Sequence, residues 1–197
     1  MTAARGLVPT VLAAVAGGVT MVQLRDKQAG DAELLRLARE LKACLRGTGA
    51  RLVVNDRVEV ACAAGADGVH LGQEDGDPAQ ARALLGPDAI LGLSVTHPSQ
   101  AAAVDPGIVS YVGLGPIYAT GTKPDAAAPL GPDAIRALRP SLALPIVAIG
   151  GIGPQNAREV VAAGADGIAV VSALCAAADP AEAARALRRA VQEGKQA

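Results

Sequence analysis

Short apolar runs recur along the chain, and each stops abruptly in polar or charged residues. Residues 19–24 end in Arg25-Asp26-Lys27, residues 51–54 in Asn55-Asp56, and residues 68–71 in Gly72-Gln73-Glu74-Asp75. Residues 90–93 end in Ser94, residues 110–114 in a long polar loop, residues 146–149 in Gly150-Gly151, and residues 167–170 in Val171-Ser172. Runs of this length, rich in Val, Ile and Leu and bounded by glycine or polar residues, read as strands buried on both faces. Strands of that kind belong to parallel sheets covered by helices.

Between the strands the apolar spacing changes to a helical period. It predicts helices over residues 7–16 and 31–46, one ending near residue 64, and others over 78–85, 98–103, 132–138, 154–163 and 180–192. Asp31 is expected to cap the second helix, whose stripe is Leu34, Leu35, Ala38, Leu41 and Leu45. Residues 1–6 and 192–197 are expected to fray. One unit echoes itself, Ala64-Gly65-Ala66-Asp67-Gly68 and Ala163-Gly164-Ala165-Asp166-Gly167, each a helix stop leading into a strand. No linker or shift in composition divides the 197 residues, so one α/β domain is expected. Polar groups end all seven strands rather than clustering at one switch point. That favours a TIM-type (β/α)8 barrel, whose loops meet at one mouth, over an open doubly wound sheet.

Composition narrows the function. Charged residues make up 19%, the net charge is −1, and the only aromatics are two tyrosines, which argues against a nucleic-acid binder working by bulk charge or base stacking. No apolar run reaches membrane-spanning length. Cys44, Cys62 and Cys175 match no metal spacing and read as reduced thiols, buried as small hydrophobes, in a cytoplasmic protein. Possible assembly into a homo-oligomer stays open.

The strand ends carry the candidate chemistry. Arg25, Lys27 and Lys123 facing one mouth would suit a polyanionic ligand. Asp56 and Asp75 could hold a hard divalent ion such as Mg2+ together with phosphate oxygens; each could equally cap the helix that follows it. Gly150-Gly151 beside Val171-Ser172 fits the phosphate site that barrels build between their last loops, although a glycine pair can also simply make a turn. The loop from Gly113 to Asp125, with Thr120, Gly121, Thr122 and Lys123, is long enough to fold over a ligand. His70 reads as a satisfied barrel residue, and His97 as a helix start. Two anionic subsites follow: a magnesium diphosphate on the early strands and a monophosphate on the last two.

The same strand ends resemble the thiamine-phosphate synthase family. The resemblance rests on Gln23-Leu24-Arg25-Asp26-Lys27, Asn55-Asp56, His70-Leu71-Gly72-Gln73-Glu74-Asp75 and Ser94. It continues through Gly115-Pro116-Ile117 with Thr120, Thr122 and Lys123, then Gly150-Gly151-Ile152 and Val171-Ser172, spanning residues 13 to 186. It implies that Gln23, Leu24, Arg25, Asp26, Lys27, Asn55, Ser94 and Lys123 hold hydroxymethylpyrimidine diphosphate, with Arg25, Lys27, Ser94 and Lys123 acting on its departure. Asp56 and Asp75 would hold Mg2+, and Thr120, Gly121, Thr122, Gly151, Val171 and Ser172 the thiazole phosphate. The implied reaction joins the two substrates into thiamine phosphate through a carbocation-like step and releases diphosphate. Two other readings are a relative that acts on or merely binds thiazole phosphate, such as a thiazole tautomerase, and an unrelated sugar-phosphate isomerase barrel. The family opens with a strand that this chain does not show, residues 2–7 being a poor substitute. A barrel lacking its first strand is therefore expected, with two unpaired edges at the gap.

Overall fold

The structure, a computed structural model, describes residues 5–121 and 127–197, apart from the side chain of Pro98. Seven strands form one parallel sheet in sequence order: β1 (Met21–Leu24), β2 (Arg51–Asn55), β3 (Gly68–Leu71), β4 (Ile90–Val95), β5 (Tyr111–Leu114), β6 (Ile146–Ile149) and β7 (Gly167–Ala169). The helices between them are α1 (Leu7–Ala16), α2 (Asp31–Cys44), α3 (Val58–Ala64), α4 (Pro78–Leu85), α5 (Pro98–Ala102), α6 (Pro132–Leu138), α7 (Ala157–Ala162), α8 (Ser172–Cys175) and α9 (Pro180–Gly194). Among the described residues the sheet does not close, and β1 and β7 each have one neighbour. The outer layer does come round: α1 packs against both α2 and α9, so the first and last helices meet over the gap. A side chain at Gly17 would collide with Ala181 and Ala184 of α9, and Arg188 donates to the Gly18 carbonyl at 3.0 Å.

The strands alternate between two environments, as a pleated chain must. Leu24, Val54, Val69 and Leu91 pack outward against Leu34, Ala38 and Leu41 of α2 and Val60 and Ala61 of α3. Val112, Leu114, Ile146 and Ala148 do the same against Ile135, Val160, Ala184 and Leu187. The intervening residues, Gln23, Asn55, His70, Ser94 and Tyr111, therefore face the interior, which is polar where the strands end.

The repeated Ala-Gly-Ala-Asp-Gly unit has a physical basis. Gly65 and Gly164 take positive φ (62° and 112°) at the helix stop, and the aspartate then accepts from the first turn of a neighbouring strand. Asp67 Oδ2 accepts from Leu52 N at 2.8 Å, and Asp166 Oδ2 from Ile146 N at 2.8 Å.

Some local expectations need correction. Asp31 is the first residue of α2 and caps nothing with its side chain; it ion-pairs with Arg57. Helix α7 begins at Ala157, because Asn156 Oδ1 accepts from Gly153 N and holds residues 153–156 in a turn. Helix α9 runs to Gly194, into the stretch expected to fray, because Gly194 is packed against Arg158 and Val161. None of the three cysteines is the buried small hydrophobe expected: Cys44 and Cys175 are half-buried, and Cys62 is exposed on α3 near the Leu84 carbonyl. The short helix α8 was not legible as a separate element.

Candidate active site

All seven strands run parallel, so their carboxyl ends share one rim, and Arg25, Lys27, Asn55, Asp56, Asp75, Ser94, Gly150, Gly151, Val171 and Ser172 lie at or shortly after those ends. After β1, Asp26 Oδ1 accepts from Gln28 N (2.9 Å) and Ala29 N (3.1 Å). These two backbone bonds hold its carboxyl below the usual range. Asp26 thus shapes the turn that exposes Arg25 and Lys27.

The Lys27 ammonium reaches the end of the next strand and lies 3.4 Å from Asp56 Oδ2. Asp56 has φ +66°, in the left-handed region that aspartate tolerates better than most residues, and its N–H donates to the His70 carbonyl at 3.0 Å. Helix α3 starts after Arg57 with no side-chain cap, so Asp56 is not spent as a helix cap. Asp75 is not a cap either: Asp77 caps α4 through Ala79 N, whereas Asp75 Oδ2 accepts from Gly72 N at 2.7 Å.

The two acids converge. Burial, followed by a hydrogen bond to Asp75 and the Asp75 charge, pushes the Asp56 carboxyl above its ordinary range, and Lys27 pulls the other way. Two like charges brought together by the fold at one rim are costly unless something positive joins them. No cluster of three metal-ligating side chains occurs among the described residues.

Inside the mouth, Ser94 of β4 is tied on two sides. His70 Nε2 lies 2.9 Å from its Oγ, and Gln73 Nε2 donates to its carbonyl at 2.5 Å. His70 Nδ1 lies 2.8 Å from the hydroxyl of Tyr111. Local sequence pattern marks neither Tyr111 nor the bond from Gln73 to Ser94. The available signal was a glycine inside each of β4 and β5, which marks a close approach across the sheet.

On the opposite side, the loop after β5 lies against the end of β6. Ile117 N donates to Ile149 O (2.8 Å) and Tyr118 N to Gly150 O (3.0 Å), while Leu130 N and Gly131 N return to the carbonyls of Pro116 and Ile117. Gly150 and Gly151 have φ +99° and +63°, and a side chain on either would collide with residues 116–119. The glycine pair is thus demanded by this packing whatever else it does. Thr120 is half-buried on the same loop, Gly121 is exposed, and Thr122 and Lys123 lie outside the described residues. Val171 is exposed and Ser172 opens α8. His97 caps α5, accepting from Ser99 N, as its position suggested.

A hollow of about 640 Å³ lies on the opposite face and does not compete for the role. Its guanidinium, from Arg82, is already committed to the carbonyls of Gly86, Ala89 and Ile108.

Exposed cations, two converging carboxylates and the half-buried Ser94 hydroxyl thus meet at one rim of a parallel barrel-like α/β scaffold, a setting suited to a phosphorylated small molecule. Comparison with known proteins sharpens this. A family model described as thiamine monophosphate synthase matches residues 2–174. A thiamine-phosphate synthase of Azorhizobium caulinodans is 55% identical over 195 residues, covering 99% of this chain and 92% of that protein. One from Xanthobacter autotrophicus is 56% identical over 191 residues, covering 97% and 90%. The solved structure of a thiamine phosphate pyrophosphorylase from Pyrococcus furiosus superposes with TM-score 0.88 at 38% identity, covering 97% of this chain and 92% of that one. A 3-hexulose-6-phosphate synthase, at 20% identity and TM-score 0.66, shares the fold alone. The chain belongs to the thiamine monophosphate synthase family, a family of transferases.

Proposed function

We propose that the chain transfers the hydroxymethylpyrimidine group from its diphosphate to the ring nitrogen of thiazole phosphate, giving thiamine phosphate and diphosphate. The observation that carries this reading is the meeting of Lys27, Asp56 and Asp75, which follow three successive strands. A cation beside two carboxylates suits a magnesium-bound diphosphate.

Asp56 and Asp75 would hold Mg2+, which when bound supplies positive charge against the leaving diphosphate. Arg25, Lys27 and Lys123 add cationic donors to the same group, and Ser94 adds a hydroxyl. Gln23 and Asn55 line the interior below them and orient the pyrimidine, while Leu24 and Asp26 hold the segment in shape. Departure of diphosphate takes the electron pair of the C–O bond with it and leaves a pyrimidine-methyl cation. The lone pair of the thiazole nitrogen then forms the new C–N bond. No protein nucleophile is required. Thr120, Gly121, Thr122, Gly151, Val171 and Ser172 would hold the thiazole phosphate so that its nitrogen lies in line with that carbon.

The whole chain then works as one barrel domain, with the slot between β7 and β1 belonging to one further parallel strand. Support comes from exposure: β7 is half-exposed along its length and Met21 is 37% exposed, whereas the interior strands β3 and β5 are buried throughout. The three free thiols fit a reducing compartment. Incubating the purified chain with both substrates and Mg2+ tests the function. Thiamine phosphate should form, and should stop forming when the metal is chelated. Consumption of neither substrate would reject the reading.

A further inference from the structure

A polar chain crosses the interior of the barrel from β5 to β4 by way of β3. Tyr111 and His70 are buried, at 8% and 9% exposure, and neither belongs to the ligand-holding set above. Their strands are not neighbours: His70 pairs with Gly92 of β4, and Gly92 pairs with Tyr111. The two rings meet over the middle strand only because Gly92 has no side chain, since a Cβ there would strike both of them. Gly113 does the same on the far side, where a Cβ would lie 2.9 Å from His70 Cε1. The imidazole is therefore held in one plane, tilted 37° to Tyr111 with 5.5 Å between ring centres, with Nδ1 toward the phenol and Nε2 toward Ser94.

We propose that His70 is a positioning residue. Accepting a hydrogen bond from the Tyr111 hydroxyl at Nδ1, it donates one from Nε2–H to Ser94 Oγ and so turns the Ser94 hydroxyl proton toward the leaving diphosphate. This rests on the function proposed above.

The tautomer follows from the balance of donors. A neutral imidazole carries one N–H. Burial pushes the Tyr111 phenol upward, so it stays protonated and serves as a hydrogen-bond donor. With Nδ1 accepting that hydrogen bond, the one imidazole proton sits on Nε2 and is donated in a hydrogen bond to Ser94 Oγ. The serine oxygen is then already engaged as an acceptor, and its own proton is left for the mouth. In the opposite tautomer Ser94 donates back to Nε2 and presents lone pairs to an anion, which is repulsive. In the favoured order each donor polarises the next, so the hydroxyl that reaches the diphosphate is a stronger donor than an isolated serine.

The test is a double-mutant cycle with a spectroscopic arm. His70→Leu should lower kcat about tenfold with Ser94 present, leave KM for the thiazole substrate unchanged, and cost less than about twofold in the Ser94→Ala background. His70→Gln, whose amide can still donate to Ser94, should recover most of the loss. Equal losses in both backgrounds would overturn the proposal. Should His70→Leu fail to fold, Tyr111→Phe keeps the ring and removes only its anchor, and a several-fold fall in kcat is expected. Nitrogen NMR reads the tautomer directly, in a chain with only two histidines. The buried ring should carry its proton on Nε2 in the native chain and populate both tautomers in Tyr111→Phe. An Nδ1–H tautomer in the native chain would refute the proposal. Because the NMR arm needs no turnover, it stands even if the chain makes no thiamine phosphate, which would reject the function instead.

Discussion

Lys27 Nζ stands 3.4 Å from Asp56 Oδ2, an ion pair that ties the turn after β1 to the end of β2. The lysine is 55% exposed and the aspartate 22%, so the pair lies open on the lysine side and enclosed on the other, where Asp75 waits. A surface pair of this kind adds little to stability. On the function proposed above, its value is in placing a cation and two anions where a phosphate and a metal would each find an opposite charge.

That arrangement sets activity against stability. Burial and Asp75 raise the folded-state pKa of Asp56. A carboxyl raised in this way favours the fold below its unfolded value and loses that advantage as pH rises through its folded value. At neutral pH, without ligand, it is therefore a burden. Asp56→Asn should abolish Mg2+-dependent turnover while raising the melting temperature, by ~2–4 °C for a gain of ~1 kcal/mol. The gain should shrink as the solution is acidified. Melting curves of both proteins from neutral to acid pH check this, and a drop in melting temperature for the variant at neutral pH would contradict it.

Asp67 shows the opposite sign. Although burial pushes its carboxyl upward, the Leu52 N–H and the charges of Lys42 and Arg51 outweigh that and leave its pKa lowered. Its contribution is present above the ordinary carboxylate value of 3.8 and is lost as pH falls through the lower folded value. Asp67→Asn should destabilise by ~1–3 kcal/mol at neutral pH, through the weakened strand cap, and the difference from the native chain should narrow in acid. Denaturant melts at the two pH values measure it.

Much of this was legible in the sequence. The alternation of apolar runs with helical periods locates all seven strands to within about two residues, and the doubled Ala-Gly-Ala-Asp-Gly unit marks two equivalent helix-to-strand joints. Charged residues at strand ends mark the rim because the fold makes the carboxyl ends the open face. What was not legible depends on neighbours across the sheet. That Gly92 and Gly113 exist to admit His70 and Tyr111, and that Gly150 and Gly151 exist to admit residues 116–119, cannot be read from local pattern. The left-handed backbone at Asp56, which takes it out of helix capping, is likewise fixed by its bond to the His70 carbonyl.

Gly92→Ala isolates that cross-sheet dependence. The added methyl strikes His70 and Tyr111. Overpacking of this kind should cost ~1–3 kcal/mol and disturb turnover together with stability. Retention of native stability and rate would show that the two rings can move without consequence.

Lys123 belongs to the loop after β5, and its proposed partner is the leaving diphosphate. Lys123→Ala should lower kcat while leaving KM for the thiazole substrate within about twofold, the pattern of an interaction made chiefly in the transition state. Steady-state kinetics with each substrate varied in turn separate the two, and an unchanged kcat would count against the assignment.

The direct test of the rim cluster is a calorimetric titration of the native chain, Asp56→Asn and Asp75→Asn with hydroxymethylpyrimidine diphosphate, each with and without Mg2+. The account predicts tight binding only for the native chain with Mg2+, and the same weak residual binding for both variants whether or not the metal is present. Metal-dependent binding that survives in both variants would contradict it.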